Sequence, residues 1–273
     1  MSELAGPLAG RYGAQAPDGR LPETNEVLDL LLRHRSVRAY LPRPVPSGTL
    51  EVLVAAAQSA STSSNLQAWS LVAIEDPARK ARLATLAGNQ AHVAAAPLFL
   101  VWLADLARLE VVSRTQGAPA EGLDYLELLL VGVIDAALAA ENAVIALESL
   151  GLSVVYIGGI RNRPEDVAAE LGLPAGVFAV FGMCVGYEDP ERPAQVKPRL
   201  PQAAVLHKEQ YSLAAQAPAI RDYDATLAAF YAAQGMNPAD WSSVAARRVR
   251  SASALTGRDR LVEALHNLGF KIR

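Results

Sequence analysis

Apolar positions along the chain fall into short segments of two periods. Between Glu26 and His34, Val27, Leu30 and Leu31 share one side of a helix, and Thr24 and Asn25 stand in front of it with N-cap oxygens. Pro42, Pro44 and Pro46 then force an extended passage, after which Ser47 is the expected cap of a second helix running to about Ser59. Trp69 to Ile74 has the β-branched and aromatic content of a strand, and Asp76-Pro77 opens a helix over about Ala78 to Ala87. A second buried strand, Leu98 to Leu103, leads into a helix from about Ala104 to Ser113.

The longest pattern is Leu126 to Leu150. Outside Glu127, Asp135, Glu141, Asn142 and Glu148 nearly every position is apolar, so this helix must be covered on most sides, in part by a partner subunit. Gly151 stands at its expected C-cap, and Leu152 to Ile157 resumes as a strand that breaks at Gly158-Gly159. Pro164 opens a helix to about Leu171, Val177 to Gly186 is a further strand, and Asp189 to Pro201 is a proline-rich surface excursion. Helical patterns return over Tyr223 to Gln234, Pro238 to about Arg250, and Arg258 to Leu268. Strands mixed with many helices, without regular β-α-β alternation, predict a single α+β domain over residues 24–273. Residues 1–23, with scattered Gly and Pro, read as a loosely ordered arm.

Composition narrows the classes. At 273 residues, 51% hydrophobic and 19% charged, the chain can bury a large core, and disorder is excluded. A net charge of -3 gives no whole-chain field toward nucleic acid or an anionic membrane. The single cysteine, Cys184, allows neither an internal disulfide nor a thiolate cage and suits a reducing compartment, which predicts a cytoplasmic protein. The stretch Ala94 to Ala104 contains Pro97 and falls short of the roughly 20 residues of a membrane span. The N-terminus lacks the basic start and apolar core of a secretory signal. His34, His92, His207 and His266 stand far apart, so no metal site is expected, and no GxSxG, GxxxxGK[ST] or GxGxxG motif occurs.

Four clusters carry candidate chemistry. His34-Arg35-Ser36-Val37-Arg38 leaves the first helix as a basic knot in which Ser36 and Arg38 face one side and suit a phosphate; a solvated turn on the helix dipole fits the same residues. Ser61 to Gln67 is a run of hydroxyls and amides before a strand, suited to a polar ring edge or to ordinary turns. Tyr156-Ile157-Gly158-Gly159 lets the backbone approach a flat ligand, or forms a bulge. Lys197-Pro198-Arg199-Leu200-Pro201 holds two cations at fixed spacing on a stiff segment, for an anion or for solvent.

Taken in order, HRSVRAY, ASTSSNLQAWS, NQAHVAAAP, ESLGLSVVYIGGIRN, FGMCVG and KPRLP resemble the nitroreductase superfamily, in the branch of the oxygen-insensitive NADPH nitroreductase and flavin reductase P. The resemblance implies a nitroreductase-like fold: a mixed, mainly antiparallel sheet surrounded by helices, in a homodimer with long central interface helices and FMN between subunits. By motif matching, His34, Arg35, Ser36 and Arg38 bind the FMN phosphate and neighbouring edge, with Lys197 and Arg199 adding charge. Thr62, Ser63, Ser64, Gln67 and Gln90 line the cofactor, and Tyr156, Ile157, Gly158 and Gly159 pass near its reactive nitrogen. His92 is expected to be structural.

The implied activity is ping-pong two-electron reduction of nitroaromatics and quinones, with NADPH or NADH as donor and the redox chemistry on the flavin. No protein residue acts as acid, base or nucleophile, and Arg35 is the expected electrostatic support for negative charge on the reduced ring. Arg258 matches a family arginine at the mouth of the site. The connection Gln234 to Trp241 lacks the arginines that grip a 2′-phosphate in NADPH-specific relatives, which opens NADH as a donor; Arg247, Arg248 and Arg250 are the substitutes if the loop folds differently, or an exposed helix face. Two other readings are an NAD(P)H:flavin reductase supplying reduced FMN and a non-catalytic flavin sensor; turnover with free FMN tests the first, and failure of NAD(P)H to bleach bound flavin indicates the second.

Overall fold

The computed structural model describes residues 4–17, 23–214 and 216–273. In chain order its elements are α1 (Ala5–Tyr12), α2 (Glu26–Arg33), α3 (Thr49–Gln58), β1 (Trp69–Ile74), α4 (Pro77–Leu86), α5 (Ala91–Ala95), β2 (Leu98–Asp105), α6 (Ala107–Thr115), α7 (Leu126–Ser149), β3 (Ser153–Ile157), α8 (Pro164–Leu171), β4 (Val177–Gly186), α9 (Gln216–Ala233), α10 (Trp241–Val249) and α11 (Leu261–Asn267). They fall into two compact units, Met1–Arg35 with Gln195–Leu255, and Ser36–Ala194 with Thr256–Arg273.

The sheet belongs to the second unit. Its strands run in the order β1-β2-β4-β3, and all three pairings are antiparallel. On β2, Phe99, Val101 and Leu103 join Leu83 of α4, Val93 of α5 and Val167 of α8. Leu98, Leu100 and Trp102 join Leu53 of α3 and Ala139, Ala143 and Leu147 of α7. Helices therefore cover both faces of this strand, which is why it reads as an unbroken apolar run rather than an alternation.

The alanine stripe of α7 lets the helix lie close to the sheet, and at Gly132 a Cβ would come within 3.0 Å of the Ala104 side chain and 3.1 Å of the Ala68 carbonyl. The opposite stripe, Leu126, Leu130, Ile134 and Leu138, is at least 45% exposed at every position. By length and composition α7 is apolar enough to cross a membrane, and half of its most apolar window is buried inside the protein, as in the core helix of a sheet.

Several boundaries shift from those the sequence predicts. Gly48, left-handed at φ +84°, precedes α3, and Ser47 does not cap it. β2 runs on to Asp105 because Ala104 still pairs with Trp69 and Phe178, so α6 starts at Ala107. α9 begins at Gln216 rather than Tyr223, and α10 begins at Trp241 because Asp240 caps it by accepting from the Ser243 N–H. The short α5 carries too little pattern to be read from sequence.

The described part of the N-terminal stretch is a correction to the loose arm. Ala5–Tyr12 is helical, and Leu4, Leu8 and Arg11 are buried at i, i+4 and i+7. Gly6, Pro7 and Gly10 lower its intrinsic helix propensity, so packing holds it. The remainder of that stretch, residues 1–3 and 18–22, lies outside the described residues.

Candidate cofactor site

The hydroxyl loop is organised by Asp135, a buried carboxylate on α7. Its Oδ2 accepts the Thr62 hydroxyl at 2.6 Å and the Ala68 N–H at 3.0 Å, and its Oδ1 accepts the Ser63 N–H at 3.2 Å. The Thr62 Oγ1 in turn accepts the Gln67 N–H at 2.9 Å. The structure thus engages the Thr62 hydroxyl as both donor and acceptor within the protein, whereas Ser63, Ser64 and Gln67 stay exposed. Ser64, Asn65 and Gln67 all have φ between +50° and +55°, a left-handed region that costs non-glycine residues energy and is held here by the Asp135 anchor. Sequence reasoning missed Asp135 as the organiser; the signal was a carboxylate in the middle of the most apolar helix.

At the end of β3 the backbone turns at Gly158-Gly159, and the two glycines differ. A Cβ on Gly159 would stand 2.2 Å from the Ala87 carbonyl oxygen and 2.4 Å from the Gln90 Nε2, so this position needs glycine for packing. A Cβ on Gly158 would meet only the Arg161 Nη2 at 3.6 Å and the Arg258 Nη1 at 3.7 Å. Gly158 is therefore an open stretch of backbone rimmed by two guanidinium groups. Gln90 is brought to the same turn, its Nε2 donating to the Ala87 carbonyl at 2.8 Å. Ile157 is buried and offers its backbone alone, while the Tyr156 ring stands edge-on to Phe181 and its hydroxyl donates to Glu141 at 3.1 Å. Partial burial, reinforced by the Glu141 charge, pushes the Tyr156 phenol up.

Arg161 and Arg258 are positioned by the fold. The register between β2 and β4 shifts after Trp102, so Trp102 pairs with Phe181 and Leu103 with Ala179. The bulge leaves Val180 out of this pairing, and the Arg161 guanidinium donates to its carbonyl. Arg258 donates from Nε to the Asn162 side-chain oxygen at 2.8 Å. Arg161 and Asn162 follow the glycine pair after Ile160, a basic and amide continuation that sequence reasoning passed over.

Beyond α2, Val37 is buried and donates its N–H to the Val154 carbonyl at 3.0 Å, so the segment runs beside β3. Ser36 and Arg38 alternate with it and are exposed, as an extended strand requires. The buried Tyr40 hydroxyl donates to the Val37 carbonyl at 2.6 Å and fixes the bend. The His92 Nε2 is buried without a hydrogen-bond partner among the described residues, and burial, then the charge of Arg38, lowers its basicity.

His34 and Arg35 belong to the first unit together with Lys197 and Arg199. Both histidine and arginine are half-buried. Lys197 and Arg199 are exposed while the Pro198 between them is buried, its carbonyl accepting from the Tyr223 hydroxyl at 2.9 Å. Lys197 lies 5.2 Å over the Tyr231 ring and donates to its hydroxyl at 3.2 Å.

Within the second unit, Gln90, Arg161 and Arg258 gather at the open Gly158 backbone, a set of hydrogen-bond donors at one turn. No group of three or more metal-ligating side chains occurs among the described residues. A groove of about 440 Å³ runs along β1 between Leu50, Val54, Trp69 and Arg108, and Gln67 of the hydroxyl loop lines it as well.

The architecture is an α+β fold with a four-stranded antiparallel sheet covered by helices. The model of the nitroreductase family matches residues 31–124 and 128–187, and that of the nitroreductase family C-terminal domain matches 197–273; the chain belongs to this family. It is 40% identical over 248 residues to an oxygen-insensitive NADPH nitroreductase of Salmonella typhimurium, covering 90% of this chain and 98% of that one. Among solved structures, NfrA2 of B. megaterium superimposes with a TM-score of 0.85 at 37% identity, covering 92% of this chain and all of that one. An NADPH:FMN oxidoreductase from Vibrio harveyi complexed with NAD+ gives a TM-score of 0.81 at 34% identity, over 91% and 100%.

Proposed function

We propose that the protein is an FMN-dependent NAD(P)H oxidoreductase that reduces nitroaromatic compounds, quinones or flavins. The observation that carries this reading is the open Gly158 backbone, rimmed by Arg161 and Arg258 and adjoined by Gln90, in a chain of the nitroreductase family. Relatives named for NADPH nitroreductase and NADPH:FMN oxidoreductase activity supply the donor and the acceptor classes.

In this reading His34, Arg35, Ser36, Arg38, Lys197 and Arg199 hold the FMN phosphate through charge-assisted hydrogen bonds. Ser63, Ser64, Gln67 and Gln90 serve the polar edge of the ring, and the backbone from Tyr156 to Gly159 borders its reactive side. FMN, when bound, supplies the two-electron chemistry. The chain contributes binding, orientation and charge: Arg35 supports negative charge on the ring, and Arg258, aimed by Asn162, greets the nicotinamide or the acceptor.

The exposed stripe of α7 supports a homodimer, since four large apolar side chains at i, i+4, i+8 and i+12 suit helix packing across a subunit interface. A cytoplasmic setting is part of the same proposal, in keeping with a single cysteine in the chain.

The test is to purify the protein, strip it, and titrate it with FMN before assaying NADPH and NADH oxidation with nitrofurazone, menadione and free FMN. FMN uptake with acceptor-dependent oxidation is expected; a protein that takes up no FMN overturns the reading. A flavin-reductase role is favoured by the printed activity of the Vibrio relative, and turnover with free FMN equal to or above that with nitrofurazone would support it.

A further inference from the structure

We propose that Arg11 is a positioning residue for the phosphate end of the FMN site. It ties the exit of α2, which carries His34 and Arg35, to the strap that carries Lys197 and Arg199. This rests on the reading that those four cations hold the phosphate.

Arg11 is 7% exposed, and its guanidinium serves four carbonyls. Nε donates to Leu32 at 2.8 Å, and Nη2 donates to Leu31 at 3.3 Å and to His34 at 2.5 Å. Nη1 donates to Lys197 at 3.2 Å. The backbone takes part as well, because the Arg199 N–H donates to the Arg11 carbonyl at 2.8 Å. One planar, rigid fork therefore caps the last turn of α2, where carbonyls lack the i+4 N–H of a continuing helix and the helix dipole is negative, and holds the strap to the same point.

The two cation pairs need such a tie. Neither is in a helix or strand, and they are far apart along the chain. A phosphate clamp requires cations at fixed separation, since a displacement of about 1 Å is enough to lose much of a charge-assisted contact. Arg11 fixes backbone carbonyls and leaves the Lys197 and Arg199 side chains exposed, with Lys197 on the Tyr231 hydroxyl and Arg199 against the Lys197 and Pro198 carbonyls. Its own N–H groups are turned to protein carbonyls, so it acts through its neighbours. The helix that carries it lies ahead of the residues matched by the family models, which begin at position 31.

The experiment compares FMN with riboflavin, which differs from FMN by the phosphate alone. Full-length apoprotein, wild type and Arg11→Met, is titrated with each flavin, and the Kd is read by fluorescence quenching. The expected result is an FMN affinity about 10- to 100-fold weaker in Arg11→Met with riboflavin affinity within about twofold, so that the preference for FMN collapses. Arg11→Lys, which keeps a cation with fewer donors, should fall between. Should Arg11→Met not fold, Arg11→Lys carries the same comparison. A variant that keeps the wild-type FMN-to-riboflavin ratio, whether both affinities hold or both fall together, overturns the inference alone. A wild type that binds both flavins equally overturns the phosphate reading and the inference with it.

Discussion

The carboxylate of Asp135, midway along the most apolar helix, accepts the hydroxyl of Thr62 at 2.6 Å. This pair turns a run of small polar residues into a fixed loop whose left-handed backbone is otherwise unfavourable. Removing the hydroxyl leaves a buried carboxylate with one donor fewer. Thr62→Val should therefore lower stability by about 1.5–3 kcal/mol, the range for a hydrogen bond to a charged group. Because the Thr62 hydroxyl is engaged on both sides by protein, FMN affinity measured below the melting transition should change less than for Gln67→Ala. Thermal unfolding together with FMN titration of the two variants checks this.

The two glycines at the end of β3 should respond oppositely to one added methyl. Gly159→Ala places a carbon 2.2 Å from a backbone oxygen, and overpacking of this kind costs about 1–3 kcal/mol or more, so a large fall in Tm is expected. Gly158→Ala finds contacts no closer than 3.6 Å and should fold normally, yet bind FMN more weakly by filling the open backbone. Equal Tm values for the two variants would contradict this assignment.

Arg258→Ala should leave FMN uptake near wild type and lower kcat/KM for NAD(P)H or the acceptor by about 10- to 100-fold, the cost of one charge-assisted contact of 1.4–3 kcal/mol. Asn162→Ala, which frees the Arg258 side chain from its 2.8 Å bond, should produce a smaller loss in the same parameter. Steady-state kinetics with each coenzyme distinguishes this from a general loss of cofactor.

Acid stability should depend on Glu165. Arg260 meets both of its carboxylate oxygens, at 2.9 and 3.0 Å, and these hydrogen bonds bring its pKa down from 4.5 to about 2. Between those values the unfolded chain binds the proton and the folded chain does not. The stabilisation is thus complete above pH 4.5 and fades as pH falls toward 2. The Tm difference between wild type and Glu165→Gln should be widest at neutral pH and shrink through that acid window; a gap that stays constant would refute the pairing.

Much of the fold was legible because β1, α8 and β4 have ends marked by strong local signals: Trp69 and Ile74, Pro164, and the run from Val177 to Gly186. The cation clusters were visible as residues but not as geometry. Nothing in the spacing of Thr62 or Val180 announces that a helix carboxylate would take the first, or that a bulge would offer the second to Arg161. The role of α1 was hidden for the same reason. Its glycines and proline argue against a helix, and only the long-range bonds of Arg11 reveal what it packs against.

The central claim is that this chain carries electrons from a nicotinamide to an acceptor through bound FMN. Anaerobic mixing of the FMN-loaded protein with NADPH and with NADH, following the visible flavin band, tests it most directly. The account predicts rapid bleaching by at least one coenzyme and recovery of the band on adding menadione or nitrofurazone. With no arginine between Gln234 and Trp241, and Asp240 occupied as the cap of α10, the NADH rate should lie within about tenfold of the NADPH rate, one lost charge-assisted contact's worth of discrimination. A yellow protein that neither coenzyme bleaches would contradict the account.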